Sequence, residues 1–276
     1  MSVEEIAPGV FVETAYHLAN VGCIVTGEGV FLVDAPFVPS EARHWGAFVR
    51  SQGKPRYFVP THAHPDHIGG HGFFAEAEMI CHESIEDQFA RYPAHLEEFL
   101  PRVGLPDDVD FSGFTMREPS LTFSDRLTIR LGGRRIELLS ADGHTRRHTM
   151  VWLPEEGVLF SGDNVVNQWP PMCHEGDIGG WYETLDRIHG EIRPRRIVPG
   201  HGPVCDAAFT RKVRETLKDV EARVRSGISE GRSREEIAES IRYLDPFGVP
   251  EWFAEHADRM RKLSVGVIYD YVKEQG

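Results

Sequence analysis

The sequence predicts an α+β chain: two packed β-sheets with helices on their outer faces, then a helical extension. Three observations predict it. Strand-like runs, a helical stretch and more strand-like runs occur in that order twice, over roughly residues 9–81 and again over 119–204. Short turns rich in His, Asp and Gly stand just past apolar runs in both halves. After His201 the pattern shifts to charged stretches with apolar residues at helical spacing. The 276 residues therefore divide into a sandwich domain over 1–204 and a helical extension over 205–276 packed on it.

In order, Val10–Val12 is a short strand, and Gly22–Thr26 and Val30–Asp34 form a hairpin around Gly27-Glu28-Gly29. Pro39–Ser51 reads as a helix, with Ser40 as N-cap and Ala42, Trp45, Phe48 and Val49 on one side. Tyr57–Val59 is the next strand, Gly69–Phe74 opens a helix, and Glu78–Cys81 is a short strand. Residues 82–118 begin with helical spacing and are then broken by Pro101, Gly104, Pro106 and Gly113, which reads as a lid-like insert over a site. Strands resume at Leu121–Phe123, Leu127–Leu131 and Ile136–Leu139, followed by the pair Thr149–Leu153 and Val158–Phe160. A helix over Trp181–Ile188 and a strand over Arg196–Val198 complete the second half. The extension holds a helix carrying Val213, Leu217, Val220 and Val224, a helix start at Ser233, and a last amphipathic helix within 250–274. The wide apolar side of that helix is covered by the chain itself, as a docking surface or pocket wall, or by a second copy in a homodimer.

The chemistry concentrates in Thr61-His62-Ala63-His64-Pro65-Asp66-His67-Ile68-Gly69-Gly70. Three imidazoles and a carboxylate fall between His62 and His67. Imidazole is the commonest metal ligand near neutral pH, and a carboxylate binds or bridges beside it. On a tight turn alternate residues face one point, so His62 and His64 suit one metal and Asp66 and His67 a second. Three later segments each place a ligand type beside a glycine after an apolar run: Asp142-Gly143-His144, Gly162-Asp163 and Gly200-His201. In that position side chains are delivered from strand ends to one edge of a sheet.

This arrangement resembles the metallo-β-lactamase superfamily over roughly residues 8–204. The resemblance implies a four-layer αβ/βα sandwich. It implies that His62, His64 and His144 hold one metal, that Asp66, His67 and His201 hold another, and that Asp163 bridges them. It also implies a structural role for Asp34 behind the metal site. The full set, bridging aspartate included, is closer to the glyoxalase II and lactonase branches than to the true β-lactamases, which usually lack that aspartate. The cofactors expected are two Zn2+ ions, with Fe or Mn as alternatives for a mixed His/Asp site.

Charge narrows the partners. A net charge of −13 with no long Lys/Arg block argues against nucleic acid, and no apolar stretch is long enough to span a bilayer. A small-molecule substrate is the partner left. The acidic, polar start is unlike a secretory signal, and Cys23, Cys81, Cys173 and Cys205 show no paired spacing. Together these point to reduced thiols in the cytoplasm. No Ser-His-Asp or Cys-His nucleophile motif and no nucleotide fingerprint is present. The reading is a binuclear metal-dependent hydrolase of a small ester, thioester, lactone or amide. Its nucleophile is a metal-bound hydroxide, which Asp66 orients and deprotonates. A non-heme iron oxidoreductase, of the sulfur dioxygenase or di-iron type, is the alternative. The segment Asn167–His174, with Trp169 and a Pro-Pro pair, is expected to form a pocket wall, with His174 and Arg147 as polar contacts.

Overall fold

Alternation along the apolar runs sorts the strands, because successive side chains of a strand leave on opposite faces. The computed structural model describes residues 3–85, 100, 104–105, 109–111, 117–247 and 249–276. The first half runs β1 (Glu4–Ala7), β2 (Val10–Glu13), β3 (Val21–Thr26), β4 (Gly29–Val33), α1 (Pro39–Gln52), β5 (Pro55–Val59), α2 (Pro65–Ile68) and β6 (Glu78–His82). The second runs β7 (Leu121–Phe123), β8 (Arg126–Leu131), β9 (Arg134–Ala141), β10 (His148–Leu153), β11 (Val158–Gly162), α3 (Ile178–Arg187) and β12 (Arg196–Pro199). The extension adds α4 (Phe209–Ser229), α5 (Arg234–Ser240) and α6 (Ala254–Glu274). β1 through β7 form one sheet in sequence order, and the other sheet is ordered β12-β11-β10-β9-β8.

In β4, Phe31 and Val33 enter the core between the sheets, while Val30 and Leu32 face α1 and its Trp45. In β11, Val158 and Phe160 turn inward and Leu159 turns out to the helices over the second sheet. Both sheets are thus covered on both faces, which makes the four layers. The sheets approach so closely that a Cβ on Gly22 would stand 2.1 Å from the Phe160 ring. Trp45 and Trp181 are fully buried in the two outer cores, and truncating either to Ala costs about 3–5 kcal/mol.

Strand direction decides where the site falls. β4 and β5 are parallel, joined through α1, so their carboxyl ends emerge together. β11 and β12 are likewise parallel, and the β9–β10 connection opens beside them. Loops at the carboxyl ends of neighbouring parallel strands meet on one edge. In the extension, α4, α5 and α6 pack with α3 over the outer face of the second sheet. Buried Arg261 on α6 donates to the carbonyls of Ala238 and Ile241, each at 2.6 Å, and so satisfies the carboxyl end of α5.

Three local features differ from the sequence reading. β1 is an additional strand that the acidic start did not announce; it is an edge strand, where exposed Glu4 and Glu5 tolerate solvent. α3 begins at Ile178 rather than Trp181, because the Asp177 carboxylate caps it by accepting from the Gly180 N–H. Gly69–Phe74 is a 3-10 turn and not the start of a longer helix. Most of the lid expected over 82–118 lies outside the described residues, and none of its described residues lines the cavity above the metal edge.

Candidate metal centre

The His-rich turn folds as it does because Pro65 opens α2. His64 stands before it as the extended N-cap residue, and Asp66 and His67 fall in the first turn. That places His62 and His64 on the approach and Asp66 and His67 on the helix, all within one short arc. β4 ends at Asp34, a non-glycine residue held at φ +56°. Left-handed backbone of this kind persists where surrounding bonds over-determine it. Here the Asp34 carboxylate accepts from the Thr61 N–H at 2.7 Å, the Thr61 hydroxyl at 3.0 Å and His67 Nδ1 at 2.8 Å. The other ligand candidates arrive from the second half. A Cβ on Gly200 would lie 1.8 Å from Asp163 Oδ1, so the residue before His201 must be glycine for the two loops to meet.

All seven candidates come together. Potential ligand atoms of His62, His64 and His144 lie within 4.8 Å of one another, as do those of Asp66, His67 and His201. Asp163 stands between the groups: its oxygens are 3.1 Å from His67 Nε2, 3.5 Å from His144 Nε2 and 3.4 Å from His201 Nε2. Asp66 Oδ2 is 3.3 Å from His201 Nε2.

The outward-facing nitrogens of the five histidines are all engaged. His62 Nδ1 meets the Thr61 hydroxyl at 3.1 Å, His67 Nδ1 meets Asp34, and His144 Nδ1 meets the Met172 carbonyl at 2.5 Å. His201 Nδ1 faces the Leu18 carbonyl at 3.3 Å. His64 is reversed: Nε2 meets Glu175 Oε2 at 3.3 Å, and Nδ1 points inward, 3.0 Å from His144 Nε2. Oxygen atoms outside the ring of imidazoles engage these nitrogens and turn the other five toward one centre. His62 Nε2 is buried without a hydrogen-bond partner. Orphaned, converging lone pairs beside two carboxylates fit divalent cations.

Electrostatics agree. Burial opposes ionisation of Asp66, but His67 and His201 outweigh it and hold the carboxyl down to about 2. Asp163 is held well below the usual range against the same burial penalty, by His201, His67 and His144. Burial keeps His144 neutral, down to about 4, and pushes His62 well down as well. Burial also works against charge on His201, yet Asp163 and Asp66 raise it to about 9. A cation would take over the role that the proton on His201 plays between those carboxylates.

Three features of the site were not singled out from sequence. Glu175 is positioned by a bridge between its backbone and that of Thr145. Asn164 accepts from the His144 N–H at 2.9 Å. His148 is fully buried and stacks behind His62 at a centroid distance of 4.6 Å. α6, for which the sequence left a docking surface, a pocket wall or a dimer contact open, carries residues of the cavity wall. That cavity, about 250 Å³, opens over the cluster. Its size is just under the usual range for small-molecule sites. From the expected wall, Trp169, Met172 and His174 line it; Arg147 does not. Trp169 stacks on His201 at 5.0 Å and meets Phe253 at 5.1 Å.

A sandwich of two sheets with a His/Asp cluster on its open edge defines a class of metal-dependent enzymes. The chain belongs to the metallo-beta-lactamase superfamily, whose family model matches residues 17–201. It is 29% identical over 181 residues to a beta-lactamase-like protein 2 homolog of Caenorhabditis elegans, covering 66% of this chain and 53% of the relative. It is 28% identical over 145 residues to a hydroxyacylglutathione hydrolase of Rhodobacter capsulatus, covering 52% and 47%. The chain thus spans about half the length of these relatives. A metallo-beta-lactamase family protein of Thermus thermophilus superposes with a TM-score of 0.70 at 22% identity, covering 99% of this chain and 95% of that one. The fold likeness therefore includes the helical extension. Among the described residues, no helix is long and apolar enough to cross a membrane.

Proposed function

We propose that the chain is a hydrolase of small esters, thioesters, lactones or amides that works with two divalent cations, zinc first among them. His62, His64 and His144 would hold one, Asp66, His67 and His201 the other, and Asp163 would join them. The observation that carries this reading is the orientation of the five histidines, each with an outer nitrogen on an oxygen atom and an inner lone pair. The relative named as a hydrolase supports the reaction class; neither relative reported above is named as an oxidoreductase.

Divalent cations bound here lower the pKa of water and take up charge on a substrate carbonyl oxygen. The chain supplies the rest. Asp66 both joins the cluster and lines the cavity. Its ionised carboxylate can hold a water by hydrogen bond and receive its proton as the carbonyl is attacked. No Ser, Thr or Cys lines the cavity among the described residues. Cys173, the cysteine nearest it in sequence, is buried on Ser264, and burial pushes its thiol up to about 12. Water is then the nucleophile, and no acyl-enzyme forms. Apolar Trp169 and Phe253 exclude bulk water from one side. All four cysteines are free, which supports a reducing, cytoplasmic setting.

The test is elemental analysis joined to a panel of thioesters, lactones, aryl esters, phosphodiesters and β-lactams. Two metals per chain and single-turnover transfer of labelled water oxygen straight into product are the outcomes expected. A trapped acyl-enzyme, or fully active protein with one metal or none, refutes the reading.

A further inference from the structure

The family match ends at residue 201, yet the cavity continues onto α6. Phe253, His256, Arg259, Met260 and Leu263 all line it. The first turns of α6 therefore face the candidate metal centre across the cavity. Phe253 and Met260 belong to an apolar cluster with Met172 and Ala257, against which Trp169 packs. Arg259 is different in kind. It is exposed at the cavity and forms no ion pair or hydrogen bond with a described residue. The acid beside it, Asp258, is taken by Arg242, Arg261 and Lys262. In a chain of net charge −13, a guanidinium without a described partner, on a wall shared with Phe253, His256, Met260 and Leu263, is a local positive focus. A planar guanidinium suits a carboxylate or phosphate better than a point charge does.

Resting on the hydrolase reading above, we propose that Arg259 forms an anion subsite. The substrate is then an ester or thioester with an apolar segment and a separate carboxylate or phosphate. The apolar segment lies along Trp169, Phe253 and Met260, the anion pairs with Arg259, and the scissile carbonyl faces the metal edge. Arg259 acts in binding and selection and takes no part in bond breaking.

Two matched substrate pairs test this on the metal-loaded protein. Butyryl-pantetheine against butyryl-phosphopantetheine adds a phosphate; phenyl butyrate against phenyl hemisuccinate adds a carboxylate. Wild type should favour the anionic member of at least one pair by about tenfold in kcat/KM, carried by KM, roughly what one partly exposed ion pair supplies. Whichever pair shows the preference identifies the anion. Arg259→Glu should abolish it, while Arg259→Lys restores part of it. Lys262→Glu makes the same charge change on the same helix off the cavity and should leave the preference intact. An anionic preference that is absent in wild type, or equal in wild type and Arg259→Glu, overturns the subsite. If none of the four compounds is cleaved, calorimetric titration with the same compounds still decides the subsite, and the wider panel above decides the hydrolase reading. Tighter binding of an anionic member that Arg259→Glu removes supports the subsite; equal affinities reject it.

Discussion

The metal edge and the α6 wall face each other across one cavity and are built on opposite principles. The edge consists of short polar side chains, buried and fixed by hydrogen bonds of 2.5–3.3 Å to Thr61, Asp34, Met172, Leu18 and Glu175. The wall presents mainly apolar side chains, Phe253 and Met260 among them, whose contacts with Trp169 and Met172 are packing contacts; the hydrogen bonds that anchor its helix, from Arg261 and at Ser264, lie behind that surface. Directed bonds tolerate little displacement, whereas an apolar surface accepts a change of shape at modest cost. On the function and subsite proposed above, chemistry belongs to the sandwich and selection of substrate to the extension.

Changes at the edge should break function most. His62→Ala and His201→Ala should each lower kcat by about a thousandfold or more, since charge stabilisation in such sites is worth several kcal/mol. Each variant should lose one metal by elemental analysis; wild-type turnover at full metal content in either would refute the ligand assignment. One layer further out, Asp34→Asn keeps the shape but removes the charge behind His67. A 10–100-fold loss of metal affinity, measured by chelator competition, is the scale for such partners. Glu175→Gln should fall at the low end of that scale, about tenfold, because the Glu175 side chain is half exposed. An unchanged chelator titration in Glu175→Gln would mean that His64 does not need its outer partner.

Protons sharpen the comparison, because histidines of the edge are shifted in both directions. In metal-free protein His201 is raised to about 9 by its carboxylate neighbours. The stabilisation from that raised group is fully present below the unfolded histidine pKa and is lost as pH rises through about 9. His144, lowered to about 4 by burial, works the other way: its contribution is present above the unfolded value and lost as pH falls toward 4. Metal-free protein should be most stable near pH 6.5, and its Tm should drop by several degrees toward pH 9. Zinc should remove the alkaline drop, because it replaces the proton on His201. An alkaline drop of equal size with zinc bound would place the titrating group elsewhere. The smallest effect belongs to the wall. Trp169→Ala should raise KM a few-fold with little change in kcat, as expected when binding surface uniform to ground and transition states is removed. A fall in kcat alone would instead make the Trp169 stack on His201 part of the metal edge.

The chain by itself pointed to the seven candidate ligands that the fold brings together, because each is marked locally. His62, His64, Asp66 and His67 share one turn, and spacing alone puts them within reach of one point. Asp34, His144, Asp163 and His201 each follow an apolar run, and parallel strands must bring such ends to one edge. The apolar runs of β4 and β11 marked both as strands; that each is buried on both faces came with the packing. Tertiary structure decided what depends on partners remote in sequence. Glu175 reaches His64 from 111 positions away, through a loop whose position is set by a bridge to Thr145. The amphipathic pattern of α6 required some cover for its apolar side, but docking on the sandwich or on a second chain satisfies that pattern equally. Only packing against α3, α4 and α5 turned its first turns toward the metal edge. Periodicity encodes which side of a helix is apolar; the position of that side over a cavity is set by long-range contacts, and these leave no spacing in the chain.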